Sequence, residues 1–148
     1  MDNGASIIND VSGVFNLEMA KLVKEYNCGW VVMHTGSGDS VTIPEYKNDI
    51  LTDVKDFFTH TLKKCEEFEI NKNQLCFDVG IGFGKSHQHN LELIKNIEKV
   101  KIDDIAMLMA LSSKRVVKIS TESENDDLVY GTIAGNVLAV SGGADIIR

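Results

Sequence analysis

At 148 residues, with 43% hydrophobic and 25% charged side chains, the chain has the composition of one folded domain with a sizeable core, which excludes disordered and fibrous classes. Its formal charge of −7 and the absence of any Lys or Arg stripe argue against nucleic acid as a partner. No apolar run approaches the ~18 residues of a membrane span, and Met1-Asp2-Asn3-Gly4 has neither the basic nor the apolar part of a signal peptide, so no membrane association and a cytoplasmic location are expected.

Periodicity predicts a short buried strand over Ala5 to Ile8, then a helix from about Asn16 to Tyr26 with Leu17, Ala20, Leu22 and Val23 inward. Gly29 to His34 reads as a second strand. A Gly- and Ser-rich loop, Thr35 to Pro44, leads to a long helix from about Glu45 to Phe68 whose Ile50, Val54, Phe57, Phe58, Leu62 and Cys65 share one face. Asn71-Lys72-Asn73 is a turn before a third strand, Gln74 to Asp78. A glycine loop and a helix from about Ser86 to Val100 follow, then a fourth strand from Ile105 to Ala110. An irregular stretch holds Ser112, Ser113 and Lys114; an acidic segment, Glu122 to Asp127, leads into a helix from about Leu128 to Ser141, and Ala144 to Ile147 is a fifth strand. Cys28, Cys65 and Cys76 lack metal-ligand spacing and read as small buried hydrophobes in a reducing compartment.

Strands that are apolar throughout and alternate with helices indicate an α/β protein with a parallel sheet covered on both faces. Five βα steps are too few for a closed eight-stranded barrel of about 250 residues but would suffice for a doubly wound sheet. The last strand runs to Arg148 without a closing helix, an odd place for a complete domain to end.

In parallel α/β proteins ligands bind at the carboxyl ends of the strands, where this chain places Asn9 and Asp10, Met33 and His34, Asp78, Ser112 to Lys114, and Arg148. The run Phe77-Asp78-Val79-Gly80-Ile81-Gly82-Phe83-Gly84-Lys85 ends a strand on an acid, and its glycines let a flat ligand approach the backbone. Asn, Asp and Lys together can read a heterocycle with mixed donor and acceptor edges, and an Arg beside them suits phosphate or carboxylate. Simpler roles stand beside these. Asp10 or Asn9 could cap the following turn, Asp78 could serve only the loop amides, and Lys114 could be a solvated neighbour of Arg115. His34 could be a satisfied loop histidine, with His60, His87 and His89 on the surface. Gly84-Lys85-Ser86 is no P-loop, because Val79 stands where the first glycine is required, and the third glycine comes one step early for a dinucleotide fingerprint.

The order and spacing of Ile8-Asn9-Asp10-Val11-Ser12-Gly13, Met33-His34, Pro44 with Tyr46, Asp78 to Lys85 with Asn90-Leu91, Gly131-Thr132 and Gly143-Ala144-Asp145-Ile146-Ile147-Arg148 resemble the dihydropteroate synthases of the pterin-binding enzyme family. The resemblance covers nearly the whole chain. It implies a partial (β/α)8 TIM barrel corresponding to strands four to eight. Residues 1–148 would form a single pterin-binding domain, truncated at its N-terminus and lacking the extreme C-terminus. The implied activity is that of a transferase of folate biosynthesis: a reduced pterin carrying a methyl diphosphate condenses with para-aminobenzoate, releasing pyrophosphate and giving dihydropteroate.

By matching positions, the resemblance assigns Asn9, Met33, Asp78, Phe83 and Lys114 to the pterin, with Asp78 and Lys114 as the catalytic pair and Arg148 on the diphosphate. Magnesium would assist departure in the family, but its usual Asn has no counterpart here, and no residue of this chain is assigned as a metal ligand. A homodimer through the last helices is also implied. The chain departs from the family at Val79, where a proline is usual, and at Ala110 and Ser113, where glycine and arginine are usual. Thr35-Gly36-Ser37 replaces Met-Gln-Gly, so the departures fall mainly on the aminobenzoate side. Two other readings are a non-catalytic pterin-binding remnant, possibly needing a partner chain to close the barrel, and a small doubly wound domain binding a phosphorylated ligand.

Overall fold

In the computed structural model, residues 1–36, 42–121 and 128–148 are described. Residues 37–41 of the predicted loop and the acidic segment 122–127 lie outside the described residues. The elements are β1 (Ile7–Asp10), α1 (Leu17–Tyr26), β2 (Gly29–Met33), α2 (Ile50–Glu67), a 3-10 turn (Lys72–Gln74), β3 (Leu75–Asp78), α3 (His87–Lys95), α4 (Ile97–Val100), β4 (Ala106–Met109), α5 (Arg115–Thr121), α6 (Val129–Ser141) and β5 (Ile146–Ile147).

Helix ends follow side chains that satisfy free backbone donors. Asn16 accepts from the amides of Glu18 and Met19 to start α1, and Asn27 ends it in the left-handed region at φ 46°. Asp49 caps α2 through the amide of Thr52, so that helix begins at Ile50 rather than near Glu45. The single helix expected over Ser86 to Val100 is two, because Asn96 adopts φ −126°, ψ 36° between α3 and α4. α5 falls where an irregular stretch was expected. Its Val, Ile, Ser and Thr residues are weak helix formers, but burial of Val116 and Val117 holds it against the core.

The first strand is Ile7–Asp10, displaced from the expected Ala5 to Ile8, since pairing with β2 sets Ile7 opposite Gly29 and Asp10 opposite Val32. α1 rests on the sheet through Ala20 and Val23. Leu17 and Leu22, expected inward, are exposed; Leu22 sits about 100° around the helix from Val23, off the buried stripe.

The five strands are parallel and run in the order β1-β2-β3-β4-β5. A doubly wound sheet reverses its strand order about a switch point, so this order rules that alternative out. Right-handed crossovers between successive neighbours put every helix on the same face, as in a segment of a (β/α)8 barrel. That face holds the main core: Trp30, Val32, Phe77, Met107 and Met109 pack with helix residues including Val23, Val54, Phe58, Leu93 and Ile97. Phe58 and Phe77 stack with centroids 4.5 Å apart. The opposite face has a small cluster of Val31, Cys76, Leu108 and Ala110 with no helix residue in it, which corrects the expectation of helices on both faces. All three cysteines are free and buried, and burial pushes the thiols of Cys65 and Cys76 up to about 12.

Candidate functional site

Alternation along the strands turns one set of residues toward the helix-free face. Register aligns Asn9 with Val31 and Cys76, and in the next layer toward the carboxyl ends it aligns Met33 with Asp78 and Leu108. Asn9 is exposed there, whereas Met33 is fully buried beside Asp78. Asp10 points the other way: it accepts from the Trp30 indole at 3.3 Å and from the Ser12 amide at 2.9 Å. The turn-capping role therefore belongs to Asp10.

Asp78 is buried at the end of β3, with Oδ1 accepting from the Gly80 amide at 2.8 Å. Burial raises its carboxyl above the usual range, and that hydrogen bond with the positive charges of Lys114, Arg148 and Lys85 acts in the opposite sense. Lys114, immediately before α5, reaches over the glycine loop, donates to the Ile81 carbonyl, and lies 5.0 Å from the centroid of the half-buried Phe83 ring. Burial lowers its amine, Asp78 raises it and Arg148 lowers it. Lys114 is thus not a freely solvated lysine. Arg148 follows β5, pinned by its amide to the Met109 carbonyl, while its own carbonyl accepts from Leu111 and Ser112; the residue is exposed.

Met33, Asp78, Phe83, Lys114 and Arg148 therefore gather at one rim, and Asn9 stands on the same face two strands from Asp78 and one layer below it.

Three supporting residues carry weight that sequence did not assign them. Lys85 donates to the carbonyls of His34, Gly80 and Phe83. Asn90 accepts from the Gly82 amide at 2.8 Å, and the Tyr46 hydroxyl donates to the Gly84 carbonyl at 2.6 Å. The available signal was their position: a lysine directly before a helix cap, an asparagine one turn inside that helix, and a tyrosine from another segment. His34 is buried between Tyr46 and Phe57, and desolvation lowers it to about 3, so it is neutral and packed away from the rim. His60 is exposed as expected, but His87 and His89 are half-buried rather than on the surface. Among the described residues no group of three or more His, Cys, Asp or Glu side chains is placed to hold a metal ion. Nor is any described helix long and apolar enough to cross a membrane.

A buried carboxylate, two cations and an aromatic ring at one rim can hold a flat heterocycle bearing an anionic substituent. Comparison with known proteins agrees with this chemistry. The pattern of the family described as pterin binding enzyme matches residues 1–148. Dihydropteroate synthase of Clostridium beijerinckii is 29% identical over 153 residues, covering 100% of this chain and 54% of that protein. A probable bifunctional folylpolyglutamate synthase/dihydropteroate synthase of Haloferax volcanii is 34% identical over 151 residues, 100% of this chain and 18% of that protein. Dihydropteroate synthase of Thermus thermophilus has been solved with 4-aminobenzoate (TM-score 0.90, 28% identity, 99% of this chain and 58% of that one) and with 6HMPPP (TM-score 0.89, 28% identity, 99% and 59%). The chain spans about half the length of the dihydropteroate synthases it matches. With its barrel-type strand order and a family match along its whole length, the chain belongs to the pterin-binding enzyme family.

Proposed function

We propose that this chain supplies the later-strand part of a dihydropteroate synthase-type site, in which a (dihydropterinyl)methyl diphosphate condenses with para-aminobenzoate. One observation carries the reading: Asp78 is buried at a strand end on the rim that also bears Lys114 and Arg148. A buried carboxylate can accept from the amino and ring N–H groups of an aminopyrimidinone edge. Asn9 would add a donor and an acceptor on the same face. Met33 would lie under the ring slot and Phe83 along it, with Lys114 toward the ring carbonyl and the incoming amine. In the reaction the aminobenzoate nitrogen bonds to the pterin methylene carbon and loses a proton, while the carbon–oxygen bond breaks and its electron pair leaves with pyrophosphate. Arg148, a cation whose backbone is fixed at the open rim, would take the charge that develops on that leaving group.

Magnesium, where present, would neutralise charge on the diphosphate; the Asn that usually holds it in the family has no counterpart in this sequence. A cytoplasmic location belongs to the same reading. So does a homodimer through α6, where Tyr130, Ile133, Val137, Leu138 and Val140 are exposed.

Isothermal titration with a reduced pterin tests the proposal. Binding by the folded chain, lost in Asp78→Asn, is the expected result, and no binding by the folded chain would overturn it. Turnover of pterin diphosphate and para-aminobenzoate by these 148 residues alone is expected to be poor or absent, since the chain spans about half of its relatives.

A further inference from the structure

Lys85 is only 7% exposed, and among the described residues no carboxylate lies within ion-pair distance of it. Its partners are three backbone carbonyls: His34 at 3.1 Å, Gly80 at 3.0 Å and Phe83 at 3.1 Å. A neutral amine has two N–H donors and a lone pair; three carbonyl acceptors require the ammonium form.

Those three carbonyls belong to residues that hold the rim. His34 gives its amide to the Asp78 carbonyl at 2.9 Å, and Gly80 gives its amide to Asp78 Oδ1 at 2.8 Å. Phe83 gives its amide to the Gly80 carbonyl at 3.1 Å. Each is therefore tied to Lys85 through its oxygen and to Asp78 or its loop through its nitrogen.

We propose that Lys85 is a positioning residue: its ammonium fastens the end of β2 to both arms of the glycine loop and so presents the Asp78 carboxylate and the Phe83 ring to the pterin. The inference rests on the pterin reading for its ligand and on the geometry alone for the loop. Burial pushes the amine down to about 7, which brings loss of one donor within reach of mild alkali. The groups facing it are Asp78 on β3, which favours the charged form, Lys114 before α5, which opposes it, the neutral His34 at the end of β2, and His87 on α3 and Arg115 on α5 across a recess of about 160 Å³.

The test pairs hydrogen exchange of the ligand-free chain with titration of a reduced pterin. In Lys85→Met, the Gly80 and Phe83 amides should exchange at least about tenfold faster while β4 amides keep their protection, and the pterin Kd should rise about tenfold or more. Wild-type affinity should fall between pH 6 and 9, and clearly less steeply in Lys85→Met, where the lowered Lys114 amine still titrates. Unchanged loop exchange, or an unchanged Kd, in a folded Lys85→Met protein overturns the proposal. Should that variant not fold, the wild-type loop amide shifts decide: Gly80 and Phe83 titrating together with the Lys85 amine supports the role, and shifts that ignore that titration overturn it. A wild type that binds no pterin sinks the pterin reading, and the exchange data still judge the loop.

Discussion

Alanine at Gly80 should be far more damaging than alanine at Gly82, although both glycines have positive φ, +67° and +84°. The backbone cost of holding alanine in the left-handed region is shared, about 1–2 kcal/mol. The surroundings differ. A Cβ on Gly80 would stand 1.9 Å from the His34 carbonyl oxygen, whereas one on Gly82 would meet nothing closer than the Lys114 Cδ at 3.6 Å. To reach ordinary contact the Gly80 loop must move away from His34 by more than about 1 Å, which leaves Lys85 able to hold the His34 carbonyl or the Gly80 carbonyl but not both. Loss of one charge-assisted bond adds about 1.5–3 kcal/mol, for about 3–5 kcal/mol in all. Urea unfolding at pH 7, followed by circular dichroism with both variants and wild type in parallel, measures the difference. Equal losses within about 0.5 kcal/mol would refute the contact argument and leave only backbone strain.

His34 predicts an acid dependence. Its imidazole is held near 3 in the folded chain against an ordinary 6.5, so unfolding takes up a proton between those values. The stability tied to its neutral form is fully present above pH 6.5 and is lost as pH falls toward 3, by up to about 1.4 kcal/mol per pH unit. His34→Phe should flatten that acid limb in urea midpoints taken at pH 7, 5 and 4; an unaltered slope would count against it. The thiols of Cys28, Cys65 and Cys76 should resist an aromatic disulfide reagent at pH 8 in the native chain and all react in denaturant. Rapid native labelling of any one of them would contradict its burial.

Much of the chemistry was legible in the chain because it is local. A strand ending on Asp78 and running into alternating glycines announces a ligand rim whatever surrounds it, and the spacing from Asn9 through Lys114 to Arg148 is enough to name a family. The apolar stripe of α2 and the helix-to-strand rhythm were readable for the same reason: period 3.6 and period 2 are written in neighbouring residues. What sequence left open was every choice that depends on partners distant along the chain. Asn9 and Asp10 are adjacent and both polar, and only pairing with β2 sends one to the open face and the other to the Trp30 indole. Whether five strands close as a doubly wound sheet or as part of a barrel depends on strand order, which is a matter of long-range pairing. α5 became a helix because the core buries two valines, against their propensity. Lys85 looked like the end of a failed nucleotide motif until three carbonyls from two separate segments converged on it. Sequence alone determined which residue types stand at the strand ends. The tertiary structure decided which of them face the same way, because orientation is set by hydrogen-bond register and burial between segments far apart in the chain.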